Sequence, residues 1–292
     1  MYHLFTPPES HNARPHTSIE IKTKKRLSII TINYNNCDGL RKTIESVVAQ
    51  TTRDFEYIVV DGGSTDDSVD VIKEYADYID YWVSEPDKGI YNAMNKGVAF
   101  AHGEYCQFLN SGDWFYNNEV INNINNLSFN EDFLIGRLLC IGKDTVRLNH
   151  PVQPDLSFTR FYCNGLPHQS IFIKRELLVN TPYDENLKIV SDWKFFIQTL
   201  IFDNCSYKLT DLIIAYYNEE GVSATQHEIV GKERTAVINE FLPPRILNDY
   251  AVIDEELLAL SKEMHKYTGF RHFLIKFCRI SLRIYSMFRY GK

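Results

Sequence analysis

"FEYIVVDGGSTDDSVDVIKEYADYIDYWVSEP", residues 55–86, is the stretch on which the fold turns. It opens with Tyr57, Ile58, Val59 and Val60, aromatic and β-branched side chains in one short run, and that run stops at Gly62 and Gly63. Such a run, closed by a turn, reads as a buried strand. "SVDVIKEYADYI", residues 68–79, then spaces its apolar residues as a helix does, with Ser64 or Asp66 available as its cap. "DYWVSEP", residues 80–86, is a second short strand. Strand, helix and strand in this order make a βαβ unit, and such units pair their strands in parallel.

The alternation continues on both sides. Upstream, "RLSIITINYNN" (26–36) is a strand stopped by an Asn-rich turn, and "DGLRKTIESVVAQ" (38–50) a helix with Leu40, Ile44, Val47 and Val48 at helical spacing. Downstream, "SEPDKGIYNAMNKG" (84–97) opens a short amphipathic helix ending near Gly103, and "EYCQFLNSGD" (104–113) is another strand. Stacked units of this kind predict a mostly parallel sheet flanked by helices, with ligands beyond the carboxyl ends of the strands. Asp61, Asp87 and Asp113 all fall there. From 119 the pattern is mixed. "FLIGRLLCIGK" (133–143) and "TVRLNH" (145–150) read as a hairpin, and "SIFIKRELLVN" (170–180) as a strand running into a helix. "SDWKFFIQTLIF" (191–202) reads as a helix opening on Ser191, "YKLTDLIIAYYN" (207–218) as a late strand, and 228–263 as helices broken at Pro243 and Pro244.

The chain has 292 residues, 44% hydrophobic and 24% charged, the composition of a soluble globular protein with ample core. Three parts are expected: a loose arm over 1–24, a main domain over 25–225 with halves 25–115 and 116–225, and a helical region over 226–292. No secretory signal is read, and no apolar window of about 18 residues spans a bilayer, so a cytoplasmic protein is expected. Six scattered cysteines without a CxxC pair read as free thiols in a reducing compartment.

Net charge is −7, unevenly spread. After Glu263 there are seven basic residues and no acid, which leaves 24 basic against 38 acidic residues, or −14, for the rest. An acidic body argues against a nucleic-acid binder, and the basic end suggests one local anionic partner. In that end Phe273, Phe277, Ile280, Ile284 and Met287 recur at helical steps among Lys276, Arg279 and Arg283. Two readings stay open. The segment lies on an anionic membrane as a basic amphipathic helix, or it docks on the chain's own body or on a second copy, as a homodimer.

Four stretches now belong together: "SIITINYNN" (28–36), "YIVVDGGSTDDS" (57–68), "EPDKGIYNAMNKGVAFAHGEYCQFLNSGD" (85–113) and "DENLKIVSDWKFF" (184–196). In this order they resemble the family 2 glycosyltransferases of the GT-A fold, above all bacterial members building exopolysaccharide, O-antigen, colanic-acid-type or capsule units. The likeness runs from about 26 to 220. It implies an α/β fold of GT-A type with a C-terminal helical extension. It also implies an inverting transfer from a nucleotide-diphosphate sugar, of UDP type, to a hydroxyl of a growing lipid-linked glycan. The place of work would be the inner face of the cytoplasmic membrane.

The resemblance assigns residues one by one. Thr31, Asn33 and Tyr34 end the first strand where the family wraps base and ribose, and Asp61 matches an acid that accepts the N3–H of a uracil-like base. Gly62 and Gly63 let backbone approach a ligand or adopt positive φ. Asp87, Lys88 and Gly89 open a helix that would face the diphosphate, because a lysine there opposes the helix dipole unless an anion offsets it. Lys88 as a solvated surface residue is the alternative. Asn95 matches a family asparagine, or makes a structural helix-to-strand hydrogen bond.

"LNSGD" stands where the family binds Mg²⁺ or Mn²⁺ through an Asp-x-Asp, but Asn110 and Gly112 replace acids and only Asp113 remains. Asp113 either holds the cation with help from ligand phosphates or caps a helix over "WFYNNEV". Asp192 matches the general base, or is a first-turn acid of its helix. His168 contacts phosphate or acceptor, or satisfies a local hydrogen bond. Two other functions compete: a sugar nucleotidyltransferase, and an inactive nucleotide-sugar-binding or scaffold protein on the same fold.

Overall fold

The computed structural model describes residues 25–142, 145–149, 156–218 and 226–250. The expected N-terminal arm and the basic amphipathic tail lie outside these residues. The chain divides into two units, Met1–Glu233 and Arg234–Lys292.

Strand β1 (Leu27–Asn33) is buried along its whole length and lies between β2 (Glu56–Asp61) and β4 (Tyr105–Phe108), parallel to both. Strand β3 (Tyr81–Ser84) extends the parallel set beyond β2. Helices cross between these strands: α1 (Cys37–Val48), α2 (Ser68–Glu74) and α3 (Ile90–Phe100). The order 3-2-1-4 comes from β3 to β4 jumping back over β1, which opens a crevice at the carboxyl ends of β1 and β4.

Both faces of this half are covered. Leu27, Ile29, Tyr57 and Val59 pack with Leu40, Ile44 and Val47 of α1 and with Val71 and Ile72 of α2. Each such side chain contributes roughly 1.5–3 kcal/mol by leaving water. On the opposite face α3 comes so near that a Cβ on Gly97 would lie 2.4 Å from Ile30 Cγ2. Of the two expected caps for α2, Asp66 Oδ1 accepts from the Ser68 N–H at 3.1 Å, while Ser64 turns instead to Asp61.

The second half is mixed. It comprises β5 (Trp114–Phe115), α4 (Val120–Asn125), β6 (Phe133–Gly142), β7 (Thr145–Asn149), α5 (Phe158–Cys163), β8 (Ile171–Lys174), α6 (Arg175–Asn180) and β9 (Tyr207–Asn218). β8 joins β4 and β6 antiparallel, β6 runs parallel to β9, and β6–β7 is the expected hairpin. Helix α7 (Ser191–Phe196) opens on Ser191 and passes into a π-helical stretch, Ile197–Phe202. Last comes α8 (His227–Phe241), a break at 242–243, and helix again from Pro244, a residue suited to a first helical position. Among the described residues no helix is long and apolar enough to cross a membrane.

Candidate active site

Register lines up one row of polar ends. Asn33 pairs with Asp61, and Asp61 with Ser84, as the last residues of β1, β2 and β3. Asp61 is fully buried and takes four hydrogen bonds. Asn33 Nδ2 (2.8 Å) and Ser64 Oγ (2.6 Å) donate to Oδ1; the Ser64 N–H (2.9 Å) and Ser84 Oγ (2.6 Å) donate to Oδ2. Burial raises its pKa, but these donors outweigh that and hold the carboxyl below the usual range. A carboxylate offers about four lone-pair positions. The expectation that Asp61 accepts from a base therefore meets a carboxylate already filled by its own protein.

Around this row the turn residues are open. Tyr34 is 65% exposed. Gly63 has φ +78°, and Gly89 sits at φ 120°, ψ 175°, a region only glycine occupies without strain. Asp87 Oδ1 accepts from the Gly89 N–H at 2.8 Å, while Oδ2 lies 2.4 Å from where a Cβ on Gly62 would stand. Lys88 is exposed, and its ammonium makes no hydrogen bond or ion pair among the described residues. Two expected donor contacts are placed elsewhere. Thr31 is completely buried with its hydroxyl 3.1 Å from Tyr57 Oη, a core contact short of the strand end. Asn95 ties α3 to the chain before α7: its Nδ2 donates to the Tyr183 carbonyl (2.9 Å) and Glu185 Oε1 (3.0 Å), and its Oδ1 accepts from the Tyr183 N–H (3.0 Å).

The "LNSGD" turn is strapped to the start of the fold. Asn36 caps α1 through the Gly39 N–H and donates to the Ser111 carbonyl at 3.1 Å. Thr43 Oγ1 donates to the Asp113 carbonyl (2.7 Å) and accepts from the Gly112 N–H (3.0 Å). The residues after Asp113 pair as β5 with β9, so Asp113 caps no helix. Its Oδ2 accepts from Gln169 Nε2 (3.0 Å) and its Oδ1 from the Asn218 N–H (3.2 Å). Burial pushes this carboxyl up to about 6, against those two donors and the nearby His168.

Asp192, on the first turn of α7, is held from three sides. Tyr91 Oη from α3 lies 3.0 Å from Oδ1, and the Trp193 N–H donates to the same oxygen at 2.9 Å. His168 Nδ1 lies 2.9 Å from Oδ2. The other ring nitrogen, Nε2, is 3.2 Å from Asn110 Nδ2, which can only donate, so the ring proton sits on Nδ1 and points at Asp192. Asn110, His168, Asp192 and Tyr91 thus form one chain from the "LNSGD" turn to α3. Burial, then the Asp192 charge, raises the Tyr91 hydroxyl well above its ordinary pKa, so it keeps its single proton, which the Ile189 carbonyl (2.5 Å) and Asp192 Oδ1 (3.0 Å) share. Behind them Glu233 of α8 accepts from three backbone N–H groups in series, Lys188 (2.7 Å), Ile189 (3.0 Å) and Val190 (3.2 Å).

The family model described as Glycosyl transferase family 2 matches residues 28–186, which carry the strand-end row and the metal-type turn. The chain belongs to this family. An uncharacterized glycosyltransferase of Mycobacterium tuberculosis is 33% identical over 207 residues, 68% of this chain and 77% of that protein. A PGL/p-HBAD biosynthesis glycosyltransferase of Mycobacterium bovis is 29% identical over 74% of this chain and 82% of its own. Among solved structures, Staphylococcus aureus TarS 1-349 shares the fold at TM-score 0.54 and 20% identity, over 66% of this chain and 60% of that one. A Pyrobaculum calidifontis mannosyltransferase, solved with GDP-Man and Mn²⁺, follows at TM-score 0.50 and 16% identity, over 67% of this chain and 57% of that one. This family 2 glycosyltransferase is therefore an enzyme of glycosyl transfer on a GT-A-like sheet.

Among the described residues no group of three or more His, Cys, Asp or Glu gathers as a metal site, so the turn would offer a hard cation only two protein oxygens. Asp113 supplies a carboxylate, and Asn110 Oδ1 is a buried carbonyl oxygen with no hydrogen-bond partner. Oxygen donors of this kind suit Mg²⁺ or Mn²⁺ when phosphates and water complete the shell. Tyr91, Ser84, Asn36, Gln169 and Glu233 escaped the sequence reading. Tyr91 alone left a local trace, an aromatic in the first turn of a glycine-opened helix; the others act across long sequence separations.

Proposed function

We propose that this glycosyltransferase transfers a sugar, with inversion, from a UDP-type donor to a hydroxyl of a growing, lipid-linked surface glycan. The observation that carries the reading is Asp192: an acceptor-rich carboxylate held by Tyr91, Trp193 and His168 and linked through Asn110 to the cation-type turn. Asp192 takes the proton of the acceptor hydroxyl as that oxygen attacks the anomeric carbon from the face opposite the diphosphate. One displacement inverts the configuration, through a transition state of oxocarbenium character. The Nδ1–H of His168 and the Tyr91 hydroxyl orient the carboxylate. Asn33, Tyr34, Gly62, Asp87, Lys88 and Gly89 receive the nucleotide, with the free ammonium of Lys88 beside the diphosphate. Asp113 and Asn110 would hold a divalent cation, which when bound would supply Lewis-acid neutralisation of the departing diphosphate.

TarS structures were solved with UDP and with UDP-GlcNAc, which supports a UDP-type donor on this sheet. A nucleotidyltransferase is disfavoured because "TINYNNCDG" (31–39) carries no glycine-rich basic phosphate loop. The basic apolar tail after Glu263 would bring the enzyme to an anionic membrane face, each Lys or Arg adding about 1 kcal/mol near that surface. The deciding experiment is sugar release from a panel of nucleotide sugars, with and without Mn²⁺, by wild type and Asp192→Asn. Release should fall by roughly 10²–10⁴-fold in the variant with donor binding kept. A variant retaining more than about a tenth of the rate would remove Asp192 from the role of base.

A further inference from the structure

We infer that the carboxylate that reads the nucleobase is Asp87, reaching across the sheet end over Gly62, and that Asp61 serves only to build the floor beneath it. The inference rests on the donor reading above and deepens it. Its starting point is the filled valence of Asp61. Two donors sit on each of its oxygens, and none of the four comes from a side chain free to leave without stranding the carboxylate in the core. A base N–H would have to displace one of them at the cost of an unpaired buried donor, typically 1–3 kcal/mol, or roughly 5- to 150-fold in affinity.

Asp87 is in the opposite condition. Oδ1 is engaged by the Gly89 N–H, which fixes the side-chain direction. Oδ2 receives no hydrogen bond among the described residues and stands where a side chain at position 62 would begin, 2.4 Å from an ideal Gly62 Cβ. The same point is 3.3 Å from Cδ2 of the Tyr34 ring, which is 65% exposed. An open aromatic face next to a free, oriented carboxylate oxygen is the pairing that holds a planar heterocycle by stacking while accepting from its edge. The backbone at Gly62 is not in the left-handed region. The absent Cβ therefore matters for space, and that space is where Asp87 enters.

The ligand chemistry follows from the oxygen. A lone ionised acceptor pairs with a ring N–H beside a carbonyl, the N3–H of uracil or the N1–H of guanine, and is repelled by the N3 lone pair of cytosine. We assign uracil, whose edge presents a single donor to match the single free oxygen Oδ2, whereas guanine's N1–H and adjacent amino group call for both oxygens, one of which Gly89 already occupies.

The test is binding of UDP, CDP, GDP, N3-methyl-UDP and N1-methyl-GDP, by calorimetry with Mn²⁺ present, to wild type, Asp87→Asn and Gly62→Ala. Wild type should prefer UDP to N3-methyl-UDP by about tenfold to a hundredfold, the worth of a hydrogen bond to a charged group. In Asp87→Asn, Oδ1 keeps the Gly89 bond and an NH₂ replaces the free oxygen. UDP should weaken by a similar factor, the penalty for N3-methylation should vanish, and the UDP-to-CDP ratio should move toward cytosine. Gly62→Ala displaces the carboxylate without touching Asp61, and should also erase discrimination against N3-methyl-UDP. Preference for GDP over UDP, lost on N1-methylation and in both variants, keeps Asp87 as the reader and changes the base. Wild type binding UDP and N3-methyl-UDP alike, or variants that keep the discrimination, overturns this inference while leaving the donor reading intact. Failure of wild type to bind any of these diphosphates overturns the donor reading itself.

Discussion

Replacing Glu233 by alanine should slow the enzyme far more than it loosens its grip on nucleotide. The Glu233 carboxylate gathers the N–H groups of Lys188, Ile189 and Val190, and the next residues are Ser191 and Asp192. The middle residue of that loop also gives its carbonyl to Tyr91 Oη, which in turn touches Asp192. One side chain thus fixes both the backbone leading to Asp192, the proposed base, and the tyrosine that touches it. Three hydrogen bonds to a charged acceptor would be worth several kcal/mol if fully desolvated. Glu233 is half-buried and water can reach the freed amides, so a net loss of about 1–3 kcal/mol is the appropriate figure. For a domain of this size that lowers the melting temperature by roughly 3–10 °C. A displacement near 1 Å at the reacting atoms costs up to about a hundredfold in rate. The assay pairs thermal unfolding with kcat and donor KM from a coupled diphosphate-release measurement at a temperature where the variant stays folded. A kcat loss of about tenfold or more with donor KM unchanged is expected. Unchanged kcat, or a rise in donor KM equal to the fall in kcat/KM, would show that the clamp does not position Asp192.

Other outcomes follow from the same contacts. The folded-state pKa of Asp113 is raised to about 6, so the cation-free protein binds this proton more tightly than the unfolded chain. Its stabilising contribution is full below about pH 4 and fades as pH rises to about 6, a loss on the order of 3 kcal/mol that Asp113→Asn should flatten in urea titrations under chelator. Chelator should also inactivate the wild type, and full activity in excess EDTA would assign Asp113 a structural role. His168→Ala cuts the link between Asn110 and Asp192 and should lower kcat by up to about a hundredfold with donor binding retained, as judged by calorimetry. Gly97→Ala pushes a methyl against Ile30 and should destabilise by about 1–3 kcal/mol in denaturant melts without altering nucleotide preference.

The parallel half of the sheet was legible because each of its elements has a period of its own: apolar runs at 27–32 and 57–60, and helical spacing at 40–48. The mixed half was less so. β5 is two residues long, and α4 and α5 are six each, too short for any period to stand out. The parallel pairing of β6 with β9 depends on which edge remains open after β8 inserts, and that is decided by tertiary packing. At the site, strand ends and glycine turns pointed to Asp61, Asp87 and Asp113; the structure sets Asp61 in register with Asn33 at the strand ends and Asp87 beside Gly62. Their division of labour was hidden. Whether a carboxylate is filled or free depends on Ser84, 23 positions from Asp61, and on a glycine whose missing side chain is itself the signal.

The supports of Asp192 come from α3, from the turn at His168, from its own helix and, through the 188–190 loop, from α8. Tyr91 is 101 positions away in sequence and His168 is 24 away. No contiguous segment can assemble these contacts alone; in the role proposed for it, Asp192 would be held as a base only while several regions are closed together. Partial openings that leave most of the sheet intact would already disperse it. Activity in this enzyme should therefore report the least stable of those regions, failing on warming before spectroscopic signals of the sheet begin to change.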